Sequence, residues 1–180
     1  MRPTFLRRMI GAAMLDPATY EEVERDASAT PQALAIVVFS ALAAGIGAKG
    51  GQDPAAALAF FAQASVIALL AWAGWALLTF EVGSHLLPTA DTRGDAGELL
   101  RTLGFAAVPG LLQVFAVLPR MRGVVFSVAI LWTLAGSVVA VRQALDYRTT
   151  TRALAVCIIA ALMALSGVII IGVLFGPTAR

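Results

Sequence analysis

The chain has 180 residues, of which 59% are hydrophobic and 13% charged, with a mean hydropathy of +0.86 and a formal net charge of +2. A soluble domain carries about 25% charged residues, and this much apolar surface in a small globule would leave large patches exposed to water. The composition therefore excludes an ordinary soluble enzyme or carrier, and the thin spread of arginines excludes a nucleic-acid surface, which needs clustered charge.

Taken in order, residues 1–29 read as a cytosolic or interfacial amphipathic segment ahead of a transmembrane domain over residues 30–176. Phe5/Leu6, Met9/Ile10 and Ala13/Met14 recur at helical spacing beside Arg7 and Arg8. Two placements fit: a helix in the headgroup plane with its arginines toward anionic lipid, or a helix packed on the rest of the protein. The apolar stretch Met9–Leu15 is too short for a cleavable signal peptide, so none is expected. Asp16-Pro17 and Thr30-Pro31 each offer a capping residue followed by a proline suited to the first helical turn.

Five apolar spans follow, over about residues 31–48, 55–82, 102–118, 124–142 and 153–175, each near the length that crosses a bilayer as a helix. Residues 49–54 read as a turn, Pro119–Gly123 as a tight hairpin connection, and Thr149–Thr151 as a cap for the last span. The expected fold is all-α, a polytopic bundle of five transmembrane helices. With the N-terminus inside, Arg2, Arg7, Arg8, Arg25, Arg93, Arg101, Arg142, Arg148 and Arg152 share one side, against Lys49, Arg120, Arg122 and Arg180 on the other. That bias predicts a cytoplasmic N-terminus and an extracytoplasmic C-terminus.

Few residues offer chemistry. One cysteine, Cys157, and one histidine, His85, exclude a multi-cysteine metal site, and no catalytic motif is present; no cofactor, no metal and no enzyme activity are expected. Glu81 and His85 stand one turn apart near the end of the second span, either as a hydrated interfacial pair or as a proton relay or metal-binding pair, although two ligands are too few for a closed metal site. Gln63 and Gln113 lie at membrane depth and should face other helices, as interhelical glue or along a polar path. Pro109-Gly110 interrupts the third span, as an ordinary kink or as a broken helix whose freed backbone holds a substrate. Small residues four apart (Ala64/Ala68, Gly136/Ala140, Ala160/Ala164, Gly172/Gly176) permit close helix packing, and Trp72, Trp75 and Trp132 sit mid-span, where packing inside the bundle is expected.

The stretch from Glu98 through Gly104-Phe105-Ala106-Ala107-Val108-Pro109-Gly110 resembles the core of the Yip domain family, the Ypt/Rab-interacting membrane proteins, whose members carry Gly-Tyr-Xaa-Xaa-Xaa-Pro at the start of the third span. Leu131-Trp132, Val141–Tyr147 and Arg152–Leu154 are similar to the family's run into its last helix. The resemblance implies five helices running from cytosol to exterior, with the family motif and helix break at Gly104, Phe105, Pro109 and Gly110. In eukaryotic relatives it implies trafficking with small GTPases, but the Asp-Leu-Tyr-Gly-Pro motif of those proteins is absent here. The Arg-rich, Lys-poor usage resembles a bacterial inner-membrane member. The partners expected are membrane lipids, further copies of the chain, or other membrane proteins. The alternative is a small transporter or lipid conduit centred on Pro109-Gly110.

Overall fold

A computed structural model of the protein describes residues 4–49, 54–90, 92, 94–118 and 120–175. Of the turn expected at residues 49–54, Lys49 closes one helix and Pro54 opens the next, while residues 50–53, and the positions of Arg2, Arg93, Pro119, Gly176 and Arg180, lie outside the described residues. Among the described residues, five helical stretches are long and apolar enough to cross a membrane: Ala27–Ala48, Leu58–Leu86, Ala96–Val117, Arg122–Ala144 and Thr150–Ile170. The protein is an all-helical, multi-pass membrane protein.

Two short helices precede the spans. Helix α1 (Phe5–Ala13) is capped by Thr4, and α2 (Pro17–Arg25) by Asp16, with Pro17 in its first turn. Asp26 then caps a 3₁₀ turn (Ala27–Ala29) that runs straight into α3 (Thr30–Lys49). The first span therefore starts earlier than Thr30-Pro31 suggests: the Asp26 carboxylate accepts from the Ser28 amide, and the Thr30 hydroxyl donates to Ala27 O at 3.0 Å. Helix α4 (Pro54–Glu81) ends in one π turn, Val82–Leu86.

The third span begins at Ala96, six residues before the predicted start. Asp95 and Glu98 form a capping box, each carboxylate accepting the other's amide at 2.8 Å, which satisfies two amides that a helix start would otherwise leave open. Helix α5 (Ala96–Ala106) then gives way to a ten-residue 3₁₀ segment, Val108–Val117, in the same span. Helices α6 (Arg122–Ala144) and α7 (Thr150–Phe175) complete the bundle.

The core is concentrated at one end. Tyr20, Val23, Ile36, Leu99, Phe105, Val141, Leu145 and Val156 are fully buried, and all lie toward the end covered by α1 and α2, hereafter the capped end. Toward the other end Leu58, Val66, Leu70, Leu131, Leu162 and Val168 are exposed, an apolar surface suited to hydrocarbon.

Candidate functional site

Proline has no amide hydrogen and its ring clashes with the preceding turn, so Pro109 cannot continue α5. The chain answers by tightening: Ala107 N donates to Gly104 O at 3.3 Å and Gly110 N to Ala107 O at 2.8 Å, both three residues back. Ala107 O also accepts a second bond, from the Ser40 hydroxyl of α3 at 2.9 Å. Val108, Pro109 and Gly110 are buried. The interruption is thus an α-to-3₁₀ switch sealed by a neighbouring helix.

The other motif residues explain how α3 comes so close. A Cβ on Gly104 would stand 2.6 Å from Ala33 Cβ, and one on Gly110 would stand 3.0 Å from Ser40 Cβ. One further step along α3, a Cβ on Gly47 would collide with Gln113 O. Ala33, Ser40 and Gly47 recur every seven residues, close to two helical turns, and form one small-residue stripe against the third span. On the opposite side Gly136 of α6 packs against Ala106, where a Cβ would stand 3.3 Å from Ala106 O. Phe105 is fully buried and meets Phe5 of α1 edge-on, with ring centroids 6.4 Å apart.

The four polar candidates at membrane depth separate. Gln63 is exposed on α4 and lines an apolar cavity of about 580 Å³ with Ala41, Gly45, Phe60 and Phe126. Gln113 is half-buried on the 3₁₀ segment. No hydrogen bond joins their side chains among the described residues. Glu81 and His85 do meet, Oε2 to Nδ1 at 3.0 Å, and both are exposed. The Ser84 hydroxyl lies 3.1 Å from the same Nδ1 and also approaches Phe80 O at 2.6 Å. A nucleophile–histidine–carboxylate relay needs its partners on opposite ring nitrogens; here both crowd one.

The densest polar chemistry is at the capped end. Arg8 is 4% exposed. Its Nε donates to Glu22 at 2.7 Å, Nη2 to Asp26 at 2.6 Å, and Nη1 to Gln32 at 3.2 Å, so one guanidinium joins α1, α2 and α3. Burial alone would lower its pKa, but the bonds to Asp26 and Glu22 outweigh that and raise it. Hydrogen bonds from Ser28 and from Arg8 hold the Asp26 carboxyl down at about 2. Helix α1 packs on the protein through the buried Arg8 and Ala12 and turns Arg7, Leu6 and Ile10 outward, so its outer face keeps the amphipathic character of a helix at the headgroups.

Further bonds dock this cap on the spans. Arg101 of α5 donates from Nε and Nη2 to Glu24 O, at 3.2 and 2.6 Å. The buried Tyr20 phenol donates to Ala12 O at 3.1 Å, and burial pushes its pKa up. Trp132, expected inside the bundle, sits at its edge and donates to Ala13 O at 2.8 Å. The Tyr147 hydroxyl lies 2.8 Å from Gly83 O and 3.1 Å from Leu87 O, covering carbonyls at the π turn.

Between α2 and the α6–α7 loop lies a polar cleft of about 270 Å³, lined in part by Glu21, Glu24, Arg25, Arg142, Asp146 and Arg148. Burial, with the negative charges of Glu98 and Asp146 adding to it, pushes the Glu24 carboxyl up to about 7. A second cavity, about 290 Å³, opens beside the start of α7 between Thr89, Arg148, Thr149 and Arg152.

The family model of the Yip1 domain matches residues 12–171. The chain belongs to the Yip1 domain family. The match takes in α2 and every span, so the docked helix lies within the Yip1 domain here. Comparisons with curated proteins and with solved structures return no match. Within this Yip1 chain, sequence reasoning missed Arg8, Ser40, Glu24 and Tyr147. The heptad spacing of Ala33, Ser40 and Gly47 was a readable signal for the seam, and Asp95-Ala96-Gly97-Glu98 for the capping box. Nothing in the local sequence distinguishes Arg8 from Arg7 as the inward arginine except helical phase relative to Glu22 and Asp26.

Proposed function

We propose that this Yip1 protein is a non-enzymatic component of a bacterial inner membrane that works through contacts with lipids, with copies of itself or with other membrane proteins at its capped end. The observation that carries the reading is the burial of Pro109-Gly110 beneath the Ser40–Ala107 O bond from α3: the interruption is covered by protein rather than open to a substrate. The crowding of Ser84 and Glu81 on one nitrogen of His85 supports a non-catalytic role. The basic residues at the capped end support a cytoplasmic N-terminus, and the trafficking-like role of family relatives is consistent with a working face on that side.

One observation favours a conduit as the second reading, the cavity beside Gln63 between α3, α4 and α6. Proteoliposome flux separates the two. The first reading predicts small-solute and lipid-transfer rates equal to protein-free vesicles, unchanged in Pro109→Ala/Gln113→Leu. Flux above background that falls in Gln63→Leu or Gln113→Leu, but not in a surface variant such as Leu162→Ala, would establish the conduit instead.

A further inference from the structure

Helix α1 has two sides of opposite character. Its inner side carries the buried Arg8 and Ala12, with the Phe5 ring set against Phe105. Its outer side carries Leu6, Ile10 and Met14, a row at four-residue spacing in which each residue is more than half exposed. Helix α2 follows at once but differs in kind. It holds Glu21, Glu22, Glu24 and Arg25, with Arg25 paired to Glu21 on its exposed side, whereas α1 contains no acidic residue.

Depth decides what meets the apolar row. The C-terminal end of α1 is tied to Trp132, whose Nε1 donates to Ala13 O at 2.8 Å. Trp132 stands ten residues before Arg142, about 15 Å along α6. The Tyr20 hydroxyl that bonds Ala12 O lies beside Gly136, where an added Cβ would stand 3.2 Å from it. At the other end, Phe5 meets Phe105, one turn of α5 beyond Arg101, and α1 also touches the 3₁₀ segment Val108–Val117. Both ends of α1 thus meet the spans below the arginines, so the helix lies across the spans rather than along them. On α6, Leu131 and Leu134 beside Trp132 are exposed as well, and the row on α1 continues that hydrocarbon-facing surface.

We infer that α1 is an in-plane wedge in one leaflet, with Leu6, Ile10 and Met14 set among the upper acyl chains of the leaflet at the capped end. Helices of this kind bury their apolar face about 5–10 Å into the boundary between headgroups and acyl chains, and the step from Arg101 to Phe105 is about 6 Å. Arg7 is exposed on the same helix, and its long stem lets the charge reach up to the headgroups. The five spans displace lipid from both leaflets, α1 from one only. The inference rests on the lipid-contact reading above and names the surface that makes the contact. Continuity with the exposed side of α6 favours acyl chains over a protein partner.

The test uses the full-length protein in phospholipid vesicles, with Cys157 replaced by alanine and single nitroxide labels at Leu6→Cys, Ile10→Cys and Met14→Cys. Leu162→Cys, exposed deep on α7, and Arg25→Cys, exposed on α2, are the references. Spin-label relaxation reads collisions with oxygen, which concentrates in hydrocarbon, against a water-soluble nickel chelate. Oxygen should dominate at positions 6, 10 and 14 and nickel at 25, with the three oxygen-to-nickel ratios falling between those at 25 and 162. Ratios at 6, 10 and 14 equal to that at 25 would place the row in water and overturn the wedge. Low collision rates with both reagents would mean that protein covers the row, with spin–spin broadening marking a second copy, and would overturn the lipid assignment. Vesicle flux is untouched by any of these outcomes, so failure here is distinguishable from failure of the non-conducting reading.

Discussion

At the capped end, α1, α2 and the helix ends are joined by side-chain bonds that cross from element to element: Arg8 to Glu22 and Asp26, Arg101 to Glu24 O, Tyr147 to Gly83 O. Deeper in the spans, side-chain bonds such as Ser65 to Phe61 O, Ser137 to Thr133 O and Ser166 to Leu162 O stay within one helix, and contact between helices rests on small residues. Two bonds at depth do cross between elements: Ser40 to Ala107 O, at the point where proline disrupts the backbone, and Trp132 to Ala13 O, where α1 lies against α6. The difference has a physical cause. Near water a long charged side chain can choose its partner at modest desolvation cost, whereas in hydrocarbon an unpaired polar group is expensive. Charged side chains thus join the elements near water, and small-residue packing with a few neutral hydrogen bonds joins them at depth.

The seam is where this contrast is easiest to break. Gly104→Leu would drive a branched side chain into Ala33, where even a Cβ stands 2.6 Å from its neighbour; overpacking of this kind costs about 3 kcal/mol or more. The expected result is loss of the monodisperse folded species on size exclusion, with Gly74→Leu as the tolerated control because nothing lies within 4 Å of its Cβ position.

Removing the central cation of the cap should do less. Arg8→Met leaves Glu22 and Asp26 without their shared partner. Those carboxylates are each 31% exposed, so water recovers part of the loss, and about 2 kcal/mol is expected. Limited proteolysis should then cut within residues 4–29 while the spans stay intact. Arg7→Met, on the outward side of the same helix, should change little.

Ser40→Ala deletes the hydroxyl that supports Ala107 O but leaves the 3₁₀ bond from Gly110 in place. About 1 kcal/mol is expected, read as a lower thermal midpoint in detergent.

The pH dependence is the smallest effect and it sharpens the comparison by appearing at the capped end alone. Glu24 is raised from 4.5 to about 7, so the folded chain holds this proton more tightly than the unfolded chain does. Its contribution is full below pH 4.5 and is lost as the pH rises through about 7. Asp26 acts with the opposite sign, its contribution being present above pH 3.8 and lost as the pH falls through about 2. Hydrogen exchange of the α2 amides should therefore speed up between pH 5.5 and pH 8 beyond the intrinsic rate change, and Glu24→Gln should remove that excess.

The class of the fold, five apolar crossings and the family were legible because hydropathy and span length act locally and dominate the free energy in a bilayer. The span starts at Ala27 and Ala96 were harder. They depend on the carboxylates Asp26 and Asp95, and a charge count reads these as loop residues although each caps a helix. The motif was visible as Gly104, Phe105, Pro109 and Gly110, but its meaning was not, because the partner that closes it is Ser40, 67 residues away. Gln63 and Gln113 were singled out by depth alone. Depth sets the cost of a polar group without fixing which neighbour satisfies it, and these two side chains do not bond to each other.

The most direct measurement asks whether water reaches the interruption in the third span. With Cys157 replaced by alanine, Ser40→Cys puts a thiol at the atom that covers Ala107 O, and Arg148→Cys puts one at the capped surface. In reconstituted vesicles opened to reagent on both sides, a charged, membrane-impermeant thiol reagent should label the protein at position 148 readily and leave position 40 unmodified. Labelling at position 40 at a rate comparable with position 148 would mean a hydrated path to Pro109, and would contradict the sealed seam on which the account depends.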